Sequence, residues 1–154
     1  MGIVVDSPLL ANRLRPATEA GLGDFSPAPE KSPKIGVLIV DDESLIRWSL
    51  AEMVIGHDYT VMEAGSGREA LAVLENPPEC VQVVMLDYRL PDTNGLQLLA
   101  AIRGLSPASR VVMMTAYGTA EVVAEAMRLG AVCVVTKPIE MHDVADIVSR
   151  ARAS

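Results

Sequence analysis

The amino-acid sequence predicts an α/β domain in which a parallel sheet is covered by helices on both faces. Two observations support this fold class. Short apolar segments alternate five times with amphipathic stretches, and the connections between them are short. Strands buried on both faces lack the polar alternation of half-exposed strands, so apolar runs suit a parallel sheet. Since crossover connections are right-handed, five strand–helix units build one sheet with helices on both sides.

The individual elements follow from the spacing of apolar side chains. Strands are expected over residues 36–40, 60–63, 81–86, 110–114 and 132–135. All but the second are almost continuous apolar runs, as strands buried on both faces should be. Helices are expected over residues 44–54, 68–74, 96–102, 121–129 and 144–151. We therefore expect a flavodoxin-like, doubly wound (βα)5 fold with a five-stranded parallel sheet in the order 2-1-3-4-5.

The chain divides near residue 34. Residues 1–34 contain five of the ten prolines, show no sustained period and predict a disordered N-terminal extension. A docking peptide is the alternative for this segment. Its four acidic and four basic residues balance, so the net charge of −7 belongs to residues 35–154, which form the predicted single domain.

Composition argues against several classes of protein. The acidic balance disfavours direct binding to nucleic acid phosphates, and no apolar stretch approaches the ~18 residues of a membrane span. The N-terminus lacks the pattern of a secretory signal. Cys80 and Cys133 form no spaced pair, and Cys133 lies in an apolar strand as a predicted core residue. We expect a cytoplasmic domain without membrane insertion.

Polar residues stand at the ends of four predicted strands. Asp41 and Asp42 follow the first strand, Asp87 the third, Thr115 the fourth and Lys137 the fifth. The carboxyl ends of parallel strands meet at one edge of the sheet, where ligand sites form. Three crowded carboxylates require a cation, and all-oxygen ligands suit Mg²⁺. With a lysine and a hydroxyl nearby, the set predicts a phosphoryl-transfer pocket.

Each of these residues also has a purely structural explanation. Asp42 or Glu43 could cap the following helix, Asp87 and Thr115 could be turn residues, and Lys137 could be a solvated charge. Because all these explanations would have to hold together, the shared pocket is favoured.

Four motifs carry a resemblance to a known family. They are DDES at 41–44, DYRLP at 87–91 with Gly95, MTAYGT at 114–119 and TKP at 136–138. In this order they resemble the receiver domain of bacterial two-component response regulators, over about residues 35–152. The run LIRW at 45–48 and the stretch 114–137 are most similar to receivers of the nitrogen-regulation class.

The resemblance implies a role for each pocket residue. Asp87 would accept the phosphoryl group and contact Mg²⁺. Asp42 would bind Mg²⁺ directly, Asp41 would bind it directly or through water, and the backbone carbonyl of Arg89 would complete the protein ligands.

The resemblance also implies how the phosphoryl group is held and sensed. Lys137 would pair with the phosphoryl group, and a cis Lys137–Pro138 bond would aim the lysine into the pocket. Thr115 and the Ala116 N–H would sense the phosphoryl group. Receivers commonly carry an aromatic residue three positions before the lysine, where this sequence has Val134. Coupling through that ring cannot operate here in its usual form.

Two bulky residues are expected at the edge of the pocket. Arg89 and Tyr117 occupy the variable positions that flank the acyl phosphate in the family and tune its hydrolysis. Tyr117 is also a candidate substitute for the missing ring.

The expected function is that of a stand-alone receiver, phosphorylated by a sensor histidine kinase or histidine phosphotransfer protein. It would signal by phosphorylation-dependent binding to a downstream protein or by onward phosphorelay, and it would catalyse only its own phosphorylation and dephosphorylation. The alternatives are a receiver-like binding module that works without phosphorylation, suggested by Val134, and a fragment of a larger transcriptional regulator. A phosphatase is disfavoured because Arg89 stands where such enzymes need an acidic residue.

Overall fold

The computed structural model describes residues 34–154. The predicted N-terminal extension therefore lies outside the described residues, apart from Lys34. The strands are β1 (Ile35–Val40), β2 (Tyr59–Ala64), β3 (Val81–Asp87), β4 (Arg110–Thr115) and β5 (Cys133–Thr136). The helices are α1 (Ser44–Val54), α2 (Gly67–Glu75), α3 (Gly95–Leu105), α4 (Ala120–Arg128) and α5 (Val144–Ala153). A short 3-10 turn, Met141–Asp143, precedes α5.

The five strands form one parallel sheet in the order β2-β1-β3-β4-β5. This confirms the predicted doubly wound fold and its strand order. From β1 the chain adds β2 on one side and then crosses to the other side of β1, where β3, β4 and β5 follow in turn. The crevice at this reversal, beyond the carboxyl ends of the strands, is where open α/β sheets place ligands.

Each face of the sheet carries its own core. Along β1, Leu38 and Val40 pack on the side of α2, α3 and α4, whereas Val37 and Ile39 pack on the side of α1 and α5. All four side chains are fully buried. This alternation follows from the two-residue period of a strand, and it explains why β1 is apolar throughout.

The last strand departs from its prediction. Residues 132–135 were expected to be buried on both faces, but Cys133, Val134 and Val135 are only partly buried and Thr136 is exposed. The prediction is wrong because β5 is an edge strand with β4 as its single neighbour. An apolar run does not distinguish an edge strand from a central one. Cys133 consequently packs at the margin of the core, where burial raises the pKa of its thiol.

The other predicted boundaries differ from the observed ones by at most three residues. The largest difference is at the end of α3, which runs on to Leu105 through Arg103 and Gly104, where no apolar spacing marks a helix.

Among the helices within residues 34–154, none combines the length and the apolar character needed to cross a bilayer.

Candidate functional site

The fold brings the predicted pocket residues to one edge of the sheet. Asp41 directly follows β1, Asp87 ends β3, Thr115 ends β4 and Lys137 directly follows β5. A cleft of about 420 Å³ opens here, and its walls include Asp42 as well as Asp87, Thr115 and Lys137. Residues up to 96 positions apart in the sequence thus share one small volume.

A lysine bridges two of the three carboxylates. Lys137 Nζ lies 2.6 Å from Asp41 Oδ2 and 3.2 Å from Asp87 Oδ1. The lysine side chain is 15% exposed and the Asp41 side chain is fully buried, so both ion pairs are shielded from solvent. The alternative that Lys137 is a solvated surface charge is therefore wrong. The bond between Lys137 and Pro138 is cis.

The three carboxylates have the composition and spacing of a divalent-cation site. One oxygen each from Asp41, Asp42 and Asp87 lies within 4.8 Å of the other two. One lysine cannot neutralise three negative charges, so the group retains an excess of about two when all are ionised. Asp42 is exposed while Asp41 and Asp87 are buried, so the cluster opens to solvent on one side. An all-oxygen set of this kind fits Mg²⁺.

Crowding and burial perturb the titration of the pocket. Burial, and then the negative charge of Asp41, raise the pKa of Asp87 above its usual value, although Lys137 opposes this. Burial acts to lower the pKa of Lys137. The hydrogen bonds and charges of Asp41 and Asp87 together outweigh it, and the pKa lies above its usual value. The lysine is therefore charged, and a cation beside Asp87 would offset the remaining repulsion.

Arg47 holds the acidic loop after β1 in place. Its Nη1 donates to the backbone carbonyl of Asp41 at 2.6 Å, and its Nε pairs with Glu63 at the end of β2 at 3.2 Å. Asp41 Oδ1 in turn accepts a hydrogen bond from the Glu43 N–H at 2.9 Å. From the sequence alone, Arg47 stands out only as part of the run LIRW at 45–48, because its partners depend on how β2 lies beside β1.

The helix-capping alternative finds little support. The N-cap of α1 is Glu43, and its side chain makes no capping hydrogen bond. Thr115 does make a turn-like contact, since its Oγ1 accepts from the Tyr117 N–H at 3.1 Å. The hydroxyl is buried at the wall of the cleft, so this contact places it there.

Two large side chains flank the cleft. The Arg89 guanidinium carbon lies 5.8 Å from the centre of the Tyr117 ring, within the range of a cation–π interaction. Tyr117 is 69% exposed and so does not replace an inward-facing ring. Val134, at the position of that ring, is partly buried against the core.

An apolar groove of about 520 Å³ adjoins the cleft and shares Lys137 and Ala116 with it. Most of its other walls come from α1 and from the segment between β5 and α5, and Met114 of β4 and Val144 of α5 also line it. Leu45 and Met141 line the groove and are 72% and 50% exposed, and Trp48 on α1 is 58% exposed. Large apolar side chains exposed together are typical of a binding surface.

Comparison with known proteins identifies the family. Residues 37–149 match the model of the response regulator receiver domain. The chain belongs to this family. It is 32% identical over 114 residues to the sporulation initiation phosphotransferase F of Bacillus subtilis, covering 74% of this chain and 90% of that one. It is 33% identical over 115 residues to the DNA-binding transcriptional regulator NtrC of Salmonella typhimurium, covering 75% of this chain.

The receiver spans only 24% of the length of NtrC, so the two share one domain. Among solved structures, it resembles a CheY-like receiver domain protein from Methanospirillum hungatei with a TM-score of 0.73 and 30% identity. That alignment covers 79% of this chain and 95% of the other. These relatives confirm the predicted family, including the resemblance to nitrogen-regulation receivers.

Proposed function

We propose that the protein accepts a phosphoryl group on Asp87 from a histidine kinase or a histidine phosphotransfer protein. The observation that carries this proposal is the pair of ion contacts from Lys137 to Asp41 and Asp87 in the carboxylate cluster. A lysine held beside the nucleophile can stabilise the negative charge on the oxygens of the transferring phosphoryl group. Such preorganised charge, together with positioning, is the main source of catalysis in phosphoryl transfer.

In the proposed step, a carboxylate oxygen of Asp87 attacks phosphorus as the bond from phosphorus to the donor's imidazole nitrogen breaks. The product is an acyl phosphate on Asp87 and a neutral donor histidine that has taken up a proton. Hydrolysis by water later restores the carboxylate and releases inorganic phosphate. The protein would catalyse only this phosphorylation and dephosphorylation of itself.

The surrounding residues support separate parts of this step. Asp41, Asp42, Asp87 and the backbone carbonyl of Arg89 would hold Mg²⁺, which when bound supplies positive charge to the phosphoryl oxygens. Lys137 would contact a second phosphoryl oxygen. Thr115 Oγ1 already accepts one hydrogen bond, so its proton is left for the phosphoryl group, together with the Ala116 N–H.

The proposed output is a change in protein binding or an onward phosphorelay. The apolar groove beside Lys137 supports this, because a partner bound there would touch the phosphorylation cleft. We propose a stand-alone receiver in the cytoplasm; support comes from the phosphotransferase relative, because the matched receiver makes up 90% of that protein. A receiver segment of a larger transcriptional regulator is the alternative suggested by NtrC.

A second candidate function is a binding module that works without phosphorylation. The observation in its favour is Val134, which has no ring to move between two surfaces. Identical partner binding with and without beryllofluoride, which mimics the phosphoryl group, would support this candidate over the switch.

The primary test is phosphorylation by acetyl phosphate with Mg²⁺, followed by intact mass. We expect the mass of one phosphoryl group on the wild-type protein and on Asp146→Asn, an exposed aspartate of α5 that serves as the matched control. We expect none on Asp87→Asn and none in EDTA. A mass gain that persists in Asp87→Asn would remove the site assignment.

A further inference from the structure

One side chain, Asp92, fastens the loop between β3 and α3 to the neighbouring helix α2. Its Oδ1 accepts a hydrogen bond from the Gly67 N–H at 2.8 Å, and its Oδ2 accepts one from the Arg68 N–H at 2.9 Å. The first N–H groups of a helix have no partner within it, and this end of the helix dipole favours a carboxylate. Consistent with these contacts, the two backbone hydrogen bonds hold the pKa of Asp92 below its usual range.

The two elements are shaped for this close approach. Gly67 is the first residue of α2, and a Cβ added there would lie 2.6 Å from Thr93 Cγ2 and 3.3 Å from Asp92 Oδ1. A larger residue at this position would force the Thr93 side chain to move, so glycine suits the close approach of the loop. The next N–H of the helix, from Glu69, is bound by the N-cap Ser66 at 3.2 Å. The helix thus has one local cap and one remote cap, and the remote cap comes from the loop that follows Asp87.

The loop is otherwise closed on its own flanking elements. Arg89 and Asn94 form an isolated antiparallel bridge across it. Asn94 caps α3 by accepting from the Gln97 N–H at 2.9 Å. Within the part of the chain that the structure describes, the two bonds to Asp92 are the only hydrogen bonds that join residues 89–94 to an element other than β3 and α3.

We infer that Asp92 is a positioning residue for the cation site. By tying the loop to α2, it holds Arg89 where its carbonyl can complete the ligands supplied by Asp41, Asp42 and Asp87. This inference rests on the proposed function, because it takes the Arg89 carbonyl to be a ligand. Residues that orient metal ligands through a second layer of contacts change metal affinity by about 10–100-fold when removed.

The test is Mg²⁺ affinity, measured by isothermal titration calorimetry without any phosphoryl donor. We expect Asp92→Ala to weaken Mg²⁺ binding about tenfold, the lower end of that range because Asp92 acts through the loop. Asp92→Asn keeps one acceptor oxygen, so its Mg²⁺ affinity should lie between those of the wild type and Asp92→Ala. The matched control is Ser66→Ala, which removes the other cap of the same helix without touching the loop. Its Mg²⁺ affinity should equal that of the wild type.

Wild-type affinity in a folded Asp92→Ala protein overturns the inference. So does an equal loss in Ser66→Ala, because fraying of α2 would then be the cause. A second measurement needs no variant at Asp92. Mg²⁺ should slow hydrogen exchange of the Gly67 and Arg68 amides more than that of Glu69, since coupling between two sites is reciprocal. Equal slowing at all three amides contradicts the inference.

Phosphorylation of the wild type on Asp87, followed in parallel, separates this result from the primary test. If Asp92→Ala binds Mg²⁺ as tightly as the wild type while the wild type is phosphorylated, only the positioning role is removed. Absence of phosphorylation with an intact Asp92 effect removes only the proposed function.

Discussion

Replacing Lys137 with methionine should destabilise the folded protein unless a divalent cation is present. The substitution keeps the unbranched side chain but removes the charge that contacts Asp41 and Asp87 at 2.6 and 3.2 Å. Breaking a buried ion pair by removing one partner costs about 3–5 kcal/mol. We expect roughly 3 kcal/mol, because Asp41 keeps its hydrogen bond from the Glu43 N–H.

The expected loss is large enough to measure by thermal unfolding. For a domain of this size, 3 kcal/mol corresponds to a decrease of roughly 10–15 °C in Tm. Circular dichroism in EDTA would give the Tm of the wild type, of Lys137→Met and of Lys34→Met. Lys34 is exposed at the start of β1 and serves as the control for loss of one lysine charge.

Adding Mg²⁺ to the same unfolding experiment should raise the Tm of Lys137→Met. Because the cation would take over neutralisation of the carboxylates, it should stabilise Lys137→Met more than the wild type. Raising the pH should also reduce the difference between the two proteins. The folded-state pKa of Lys137 is raised, so its stabilising effect is complete below the unfolded pKa of about 10.4 and is lost as pH rises through the folded value. A Tm within about 2 °C of the wild type in EDTA would refute the reasoning.

Three further predictions concern charge, shielding and packing. Asp87→Asn should raise the free energy of unfolding at pH 7 by roughly 0.5–2 kcal/mol, since burial and the charge of Asp41 raise the pKa of Asp87 and make its ionisation costly in the folded state. In urea titrations the gain should vanish below about pH 3.9, and a gain independent of pH would contradict this origin. Tyr117→Ala should shorten the life of the acyl phosphate roughly 2–5-fold by removing the contact with Arg89, as measured by phosphate release, with Tyr117→Phe unchanged. Gly36→Ala should lower the free energy of unfolding in urea by roughly 1–3 kcal/mol, because the new Cβ would lie 2.6 Å from a backbone oxygen. Gly104→Ala should not destabilise the protein, because a Cβ at that position would meet no atom within 4 Å. Equal effects of the two glycine substitutions would refute the packing argument.

The sequence predicted the sheet and the pocket because both depend on local pattern. Apolar runs mark strands, and polar residues directly after them must lie at one edge once the strands are parallel. Asp87 and Lys137 could therefore be placed at the same edge from the sequence alone, although the distance between them could not be predicted. The same pattern failed for the strand at residues 132–135, because an apolar run does not reveal whether a strand has one neighbour or two.

The contacts that sequence reasoning missed are those that depend on how separate elements approach. Arg47 has no local partner in the sequence, and its role appears only when β2 brings Glu63 beside it. Asp92 stands in a turn where aspartate is common, so nothing in the sequence connects it with Gly67, 25 residues earlier. The outward position of Tyr117 likewise depends on side-chain packing.

The contact between Asp41 and Lys137 bears on how the protein is made. The two residues are 96 positions apart, and they come from the loops after the first and last strands of the sheet. During synthesis the aspartates leave the ribosome long before the lysine, and their charges stay uncompensated by it until β5 has joined the sheet. A nascent or truncated chain that lacks β5 therefore cannot complete the pocket. The carboxylate–lysine pocket is thus complete only after the last strand of the domain has been translated and has joined the sheet.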